Sequence, residues 1–137
     1  MLMTKVKTKE SLALHLTGKV FVLNCLGCRE VYFPVEEVAE LKKELGGPGC
    51  ELTGDVVTDY LCNPEYFAPR LDKHQTAIAE SDKVLVFSCG VGVQTAAEYL
   101  KGKKVYSGCD TMYLPGFQGV TALEYDCDQC GECWLTY

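Results

Sequence analysis

The sequence is that of an acidic chain of ordinary domain length. Its 137 residues, 47% of them apolar, are enough for one domain with a core of its own. A net charge of -6 argues against nucleic acid or an anionic membrane as the main partner, because phosphate binding needs a basic surface. No apolar run is long enough to cross a bilayer, and the first residues lack the apolar stretch of a signal peptide. We therefore expect one cytoplasmic domain over residues 1-137, with no membrane or nucleic acid partner.

Helices and strands are predicted to alternate along the chain. A continuous apolar run, KVLVFS at 83 to 88, predicts a central buried strand. Capping and periodicity predict an opening helix at about 8 to 17, then helices from Pro34 to the glycines at 46 and 47, from Asn63 to about 81, and at about 91 to 103. Further strands are predicted at about 19 to 24, 51 to 61 and 103 to 108, with a possible short one near 120 to 125.

This alternation predicts an α/β fold. We expect a parallel sheet of four to five strands flanked by helices, of flavodoxin or Rossmann type, followed by a cysteine-rich C-terminal loop. Parallel strands share a direction, so residues just past each strand meet at the carboxyl edge, where open α/β sheets bind ligands. Cys50 precedes its strand and is expected at the opposite edge. The cysteines expected at the carboxyl edge are Cys25, Cys28, Cys62, Cys89 and Cys109.

Nine cysteines are the most informative feature of the composition. Disulfides are rare in a reducing compartment, and an odd number excludes complete pairing. A single cysteine is commonly just a small buried hydrophobe, but that explanation fails for clusters at C-x-x-C spacing. Such spacing occurs in the pair Cys25 and Cys28 and in the triplet Cys127, Cys130 and Cys133. The pattern favours metal ligation.

Three chemistries compete for these thiols. Tetrahedral zinc takes four soft ligands, usually from two C-x-x-C pairs. An iron-sulfur cluster also takes four cysteines, and a C-x-x-C-x-x-C run with one remote cysteine is typical of it. A redox dithiol at Cys25 and Cys28 is the third, although it leaves the other cysteines at that edge without a role. The triplet favours iron and sulfide.

The count of cysteines favours two metal centres over one. Eight remain when Cys50 is set aside, and eight is two sets of four. Cys89 and Cys109 can be exchanged between the sets. Two 4Fe-4S clusters, one cluster with one zinc, and zinc alone all stay open. The preferred partition places Cys25, Cys28, Cys62 and Cys89 in one set and Cys109, Cys127, Cys130 and Cys133 in the other.

The segment Cys89-Gly90-Val91-Gly92 opens a predicted helix with two glycines. A dinucleotide-binding turn would have glycine or alanine where Thr95 stands and would follow the first strand, so the match is poor. We interpret Gly90 and Gly92 as cofactor-binding positions at which backbone approaches a cluster closely. The helix N-terminus would offer amide hydrogens to its anionic sulfurs.

Three segments together resemble a known family. VFVLNCLGC, then VLVFSCGVGVQTAAEYL, then LEYDCDQCGECWL are similar to the methylenetetrahydrofolate reductase C-terminal domain family, whose free-standing members are small cysteine-rich subunits. The resemblance covers nearly the whole chain, and CGVGVQT with CxxCGECWL is its specific part. In the family pattern a further cysteine-bearing, glycine-rich tail follows CGECWL, which the sequence given does not include. This departure favours the zinc alternative.

The resemblance implies a function in electron transfer. It implies an iron-sulfur subunit that works with a flavin-bearing reductase in one-carbon metabolism, interconverting methylene- and methyltetrahydrofolate. The chain itself would be non-catalytic and would pass electrons to the flavoprotein subunit, with other redox proteins as further possible partners. The alternative function is a zinc-stapled interaction module that uses the same thiolates only to hold its fold.

Overall fold

A computed structural model describes residues 2-28 and 31-112 of the chain. The predicted strand near 120 to 125 and the Cys127, Cys130 and Cys133 triplet lie outside these residues. No helix within the described ranges is long and apolar enough to cross a membrane. The elements are β1 (Leu2–Val6), α1 (Lys9–Ala13), β2 (Gly18–Cys25), β3 (Val31–Tyr32), α2 (Val35–Leu45), β4 (Cys50–Thr58), α3 (Pro64–Asp72), α4 (Gln75–Glu80), β5 (Lys83–Phe87), α5 (Gly90–Tyr99), β6 (Lys104–Ser107) and β7 (Cys109–Met112).

The centre of the molecule is a four-stranded sheet in the order β4-β2-β5-β6, and all of its strands are parallel. The two interior strands, β2 and β5, are the two continuous apolar runs of the sequence. Residues 20-23 and 84-87 are 0% exposed, because both faces of these strands are covered by helices. The prediction of a parallel sheet flanked by helices, with KVLVFS at its centre, is confirmed.

The sheet separates two apolar cores. Alternate side chains of β2 point to opposite faces, so Val20 and Val22 pack with α1 and α2, whereas Phe21 and Leu23 pack with α3 and α5. The chain crosses from β2 to β4 through α2 on one face and continues from β4 to β5, and from β5 to β6, through helices on the other. The strand order therefore reverses between β2 and β5, as in Rossmann-like doubly wound sheets.

A second, smaller sheet was not predicted. Its order is β3-β1-β7, with β1 parallel to β3 and antiparallel to β7. The segment predicted to open with a helix at 8 to 17 thus begins with a strand, and α1 is only five residues long. Thr4 of β1 is 1% exposed, and its hydroxyl donates to the Tyr32 carbonyl at 2.8 Å. Pairing with distant strands, which a local pattern does not report, fixes this strand.

The helix predicted from Asn63 to about 81 is two helices. Asn63 caps α3 as expected, since its side-chain oxygen accepts from the Glu65 amide at 3.1 Å. The His74 amide then donates to the Leu71 carbonyl at 2.9 Å, a tightened turn that ends α3 before α4 starts. Phe67 and Leu71 of α3 are buried in the core.

Candidate metal centre

Four cysteines lie at the carboxyl edge of the parallel sheet. Cys25 is the last residue of β2, and Cys28 follows it on the next loop. Cys62 comes four residues after the end of β4, and Cys89 comes two residues after the end of β5. Because β2 and β5 are neighbours at which the strand order reverses, Cys25 and Cys89 flank the crevice where such sheets commonly bind ligands.

A glycine shapes the loop between Cys25 and Cys28. Gly27 has φ of +92°, and a Cβ there would lie 3.0 Å from the Val31 carbonyl oxygen, so a larger residue would be strained. The Cys28 amide donates to the same carbonyl at 3.2 Å. On the other side of the loop, the Leu26 amide donates to the Thr58 carbonyl at 3.2 Å. The sequence signal for this turn is the glycine within C-x-x-C, which sequence reasoning left unused.

A strained turn presents Cys62. Tyr60 has φ of +52°, the left-handed region that a bulky side chain rarely adopts. Its carbonyl accepts from the Asn63 amide at 2.9 Å, which closes the turn. Leu61 is 0% exposed and anchors the turn in the core, whereas the Cys62 side chain is exposed. The turn therefore directs this thiol toward solvent rather than into the core.

Cys89 occupies the N-cap position of α5, but its side chain makes no capping hydrogen bond. The Gly90 amide donates instead to the Thr111 hydroxyl oxygen of β7, at 3.2 Å. Thr111 thus does locally what a capping side chain does, and the Cys89 thiol is left available for ligation. Sequence reasoning missed Thr111, because no local pattern links residues that far apart.

The two glycines of the CGVG segment have different surroundings. Gly90 is exposed, and a Cβ there would meet nothing within 4 Å. Gly92 is buried, and a Cβ there would overlap the Ser88 Oγ and lie 3.2 Å from the Leu61 Cβ. Close approach of backbone to a ligand therefore remains an interpretation for Gly90. At Gly92 the structure gives another reason for glycine, which is that α5 packs directly on the end of β5.

Electrostatics link the four thiols. Partial loss of hydration raises the pKa of Cys62, and hydrogen bonding to backbone at Cys62 itself acts against this rise. The charges of Cys89, Cys25 and Cys28 raise the same pKa further. These three thiols are thus near enough to Cys62 for their charges to interact with it. A cation bound among them would reverse this mutual repulsion and favour the thiolates.

Cys109 lies at the same edge but inside the protein. It is 5% exposed and belongs to the core on the α1 and α2 face. Burial, followed by the adjacent Asp110 carboxylate, raises its pKa to about 12, whereas Lys7 and hydrogen bonding to the Ser88 backbone lower it. Cys89 also raises it, so the two cysteines are neighbours. This nearness leaves both assignments of Cys89 and Cys109 to the two sets open.

The donor set suits a soft metal, but it is not arranged as a finished coordination sphere. Within residues 2-28 and 31-112, no three histidine, cysteine, aspartate or glutamate side chains are grouped closely enough to hold a metal ion. Four thiols on three neighbouring loops are nevertheless the ligands that tetrahedral zinc or an iron-sulfur cluster requires. Cys28 and Cys62 are exposed, so core packing does not fix their side chains in place.

Comparisons with known proteins do not add a relative. No protein family model, curated protein or solved structure matches the chain. The resemblance carried by CGVGVQT and CxxCGECWL therefore stays a prediction. What the chain offers to any functional assignment is the chemistry and placement of its thiols.

Proposed function

We propose that this chain is an iron-sulfur electron-transfer subunit that exchanges electrons with a flavin-dependent methylenetetrahydrofolate reductase. The observation that carries the proposal is the convergence of Cys25, Cys28, Cys62 and Cys89 at one edge of the sheet. The family resemblance of the three cysteine-bearing segments supplies the partner and the metabolic context.

Cys25, Cys28, Cys62 and Cys89 would hold the first metal group. A second group would be held by Cys109 with Cys127, Cys130 and Cys133, the last three of which lie outside the described residues. Such a group, when bound, supplies one-electron transfer at a potential that its surroundings set. The chain's own contribution is to orient the four thiols through the Gly27 turn, the Tyr60 turn and the Thr111 hydrogen bond.

The placement of the thiols suits a carrier of electrons better than an enzyme with a substrate pocket. Cys28 and Cys62 are exposed, so a group held there lies near the surface, where a docked partner can come within transfer distance. Two depressions among the described residues lie elsewhere. One is lined by glutamates of α2, and the other lies between α3, α4 and the end of α5.

The topology also agrees with a ligand at this edge. With the parallel strands numbered along the chain, their order is 2-1-3-4, which is also the order of the first four strands in the flavodoxin-like arrangement 2-1-3-4-5. In that arrangement the cofactor lies at the carboxyl ends of the first and third strands, which here are β2 and β5. Those are the strands that Cys25 and Cys89 follow.

A zinc-stapled interaction module is the second candidate, and one observation favours it. The four thiols come from loops after three different strands, so a bound ion would cross-link the ends of β2, β4 and β5. Cross-linking of this kind is what structural zinc contributes to a small domain. In that case the same edge would present a docking face without redox activity.

Anaerobic purification followed by metal and sulfide analysis tests the proposal. We expect a brown protein with about four iron and four sulfide per cluster, and visible absorbance that bleaches on reduction. Mixing the reduced protein with a flavin-containing methylenetetrahydrofolate reductase should then reduce the flavin. A colourless protein with one zinc per four cysteines would support the second candidate, and protein without metal would overturn both.

A further inference from the structure

The hydroxyl of Ser88 is buried without a hydrogen-bond partner. Ser88 is 2% exposed, and its Oγ has no partner among the described residues. Nearly all buried polar side chains in native proteins are hydrogen-bonded, so an orphan of this kind calls for a physical explanation. The other three buried side-chain hydroxyls of the described chain, those of Thr4, Thr58 and Ser81, each donate to a backbone carbonyl.

Ser88 adjoins the turns that carry two of the four thiols. It follows the last residue of β5 and immediately precedes Cys89. Its Oγ occupies the space that a Cβ of Gly92 would fill, beside the Leu61 side chain, and Leu61 immediately precedes Cys62. The orphan hydroxyl is thus next to two of the turns that carry thiols.

Two locally unfavourable features meet at this point. Glycine at position 92 weakens α5, because glycine is a poor helix former. An unpaired buried hydroxyl is also unfavourable, and alanine at position 88 would avoid that cost. Gly92 leaves room for the very hydroxyl that lacks a partner, and such local inconsistencies are expected at functional sites.

We propose that the Ser88 hydroxyl donates its hydrogen bond to a sulfur of the metal group held by Cys25, Cys28, Cys62 and Cys89. This inference rests on the proposed metal centre and adds a tuning residue to it. A hydroxyl carries one rotatable donor, and thiolate or sulfide sulfur is the acceptor that a bound group would bring. Ser88 would be a positioning residue, since it acts on the ligands and not on a substrate.

The sign of its effect follows from charge. A hydrogen bond to sulfur stabilises the more negative, reduced form of a cluster more than the oxidised form, so it raises the potential. It also offsets the repulsion among four thiolates, and so it strengthens retention of zinc as well as of a cluster. Loss of an outer hydrogen bond of this kind typically weakens metal affinity by about 10-fold or more.

The test compares Ser88→Ala with Ser81→Ala. Ser81 is a matched control, because it is 3% exposed and precedes β5 at the opposite edge, and its hydroxyl donates to the Ile78 carbonyl at 2.6 Å. Three measurements are made on each variant. They are the midpoint potential of the anaerobically loaded protein, metal retention against a chelator, and urea unfolding of the metal-free protein.

We expect Ser88→Ala to lower the potential and to weaken metal retention about 10-fold, while metal-free stability stays the same or rises. Ser81→Ala should instead lower the stability of the metal-free protein, because it removes a satisfied hydrogen bond. Its midpoint potential and metal retention should stay at the wild-type values. The inference is overturned if Ser88→Ala binds metal with wild-type potential and retention, or if it destabilises the metal-free protein as Ser81→Ala does. Either result would leave the proposed metal centre standing, whereas wild-type protein without metal would remove both.

Discussion

The two edges of the parallel sheet contrast in how their polar groups are used. At the amino edge the polar groups satisfy one another. The Lys19 amide donates to the Asp82 carboxylate at 3.0 Å, and the Lys83 ammonium donates to the Thr17 hydroxyl at 3.1 Å. At the carboxyl edge, four free thiols follow three neighbouring strands, and the Ser88 hydroxyl has no partner in the described chain. The polar groups named at the amino edge are thus paired within the chain, whereas those at the carboxyl edge include free thiols and a hydroxyl without a partner in the described residues.

Cysteine makes this contrast testable, because it occurs at both edges. Cys50 begins β4 at the amino edge and is half-buried. Partial loss of hydration raises its pKa, and the Lys83 ammonium opposes that rise. Among the described residues, no other cysteine's charge influences the pKa of Cys50. The same residue type thus stands alone at one edge and in a group at the other, so position in the fold decides what a thiol can do.

The largest expected difference is in bound metal. Cys62→Ala should remove the metal of the Cys25, Cys28, Cys62 and Cys89 site, about half of the total when both proposed groups are bound, because it removes one of that site's four ligands, whereas Cys50→Ala should leave the metal content unchanged. Cys62 is exposed, so its truncation leaves no cavity and should change metal-free stability by no more than about 0.5 kcal/mol. Metal analysis of the two purified variants is the measurement. An equal loss of metal from both variants, or no loss from either, would contradict the contrast between the two edges.

Thiol reactivity should separate Cys109 from its exposed neighbour Cys28. A pKa of about 12, against the ordinary 9.0, lowers the thiolate fraction of Cys109 roughly 1000-fold near neutral pH, and burial also denies access. In metal-free protein, iodoacetamide should therefore modify Cys28 far faster, as followed by peptide mass spectrometry.

The raised pKa of Cys109 also makes the stability of the folded protein depend on pH. The folded chain keeps the Cys109 proton while the unfolded chain releases it near pH 9, so this contribution to stability is lost as the pH rises from about 9 toward 12. Cys109→Ala should flatten that part of the pH profile. In the iodoacetamide experiment, modification of Cys109 as rapid as that of Cys28 would show that Cys109 is not held in the core.

The smallest expected effect distinguishes the glycines of the CGVG segment. Gly92→Ala should cost about 1 to 3 kcal/mol, because its methyl group would be forced against Ser88. Gly90→Ala should change stability by no more than about 0.5 kcal/mol, since its Cβ would enter open space. Urea denaturation of metal-free protein measures both. Equal costs would mean that the packing of α5 on β5 does not explain the buried glycine.

The parallel sheet could be predicted from sequence because its signals are local. The runs at β2 and β5 are apolar throughout, as strands covered on both faces must be, and helix caps such as Asn63 stand beside the helices they start. The rule that parallel strands share a carboxyl edge then predicted where Cys25 and Cys89 lie. None of these inferences needed contacts between distant parts of the chain.

Features that depend on distant pairing could not be predicted. Strand β1 is held by β3 and β7, and the amide of Gly90 is capped by Thr111 from another element. The inward position of Cys109 has the same origin, because β7 turns away from the edge to pair with β1. The burial of the Ser88 hydroxyl without a partner likewise depends on its packing beside Gly92 and Leu61, which only the folded structure reveals.

The three-stranded sheet has a consequence for the order of folding. Its strands come from residues 2-6, 31-32 and 109-112, so Val6 and Cys109 meet only after a loop of about one hundred residues has closed. The four parallel strands need shorter closures and bury the larger apolar surface, and we expect them to assemble first. The Lys7 and Asp110 ion pair and the Thr111 cap would then form last. The final step of folding would thus be the one that sets the turn carrying Cys89, and the site would mature only when the chain is otherwise folded.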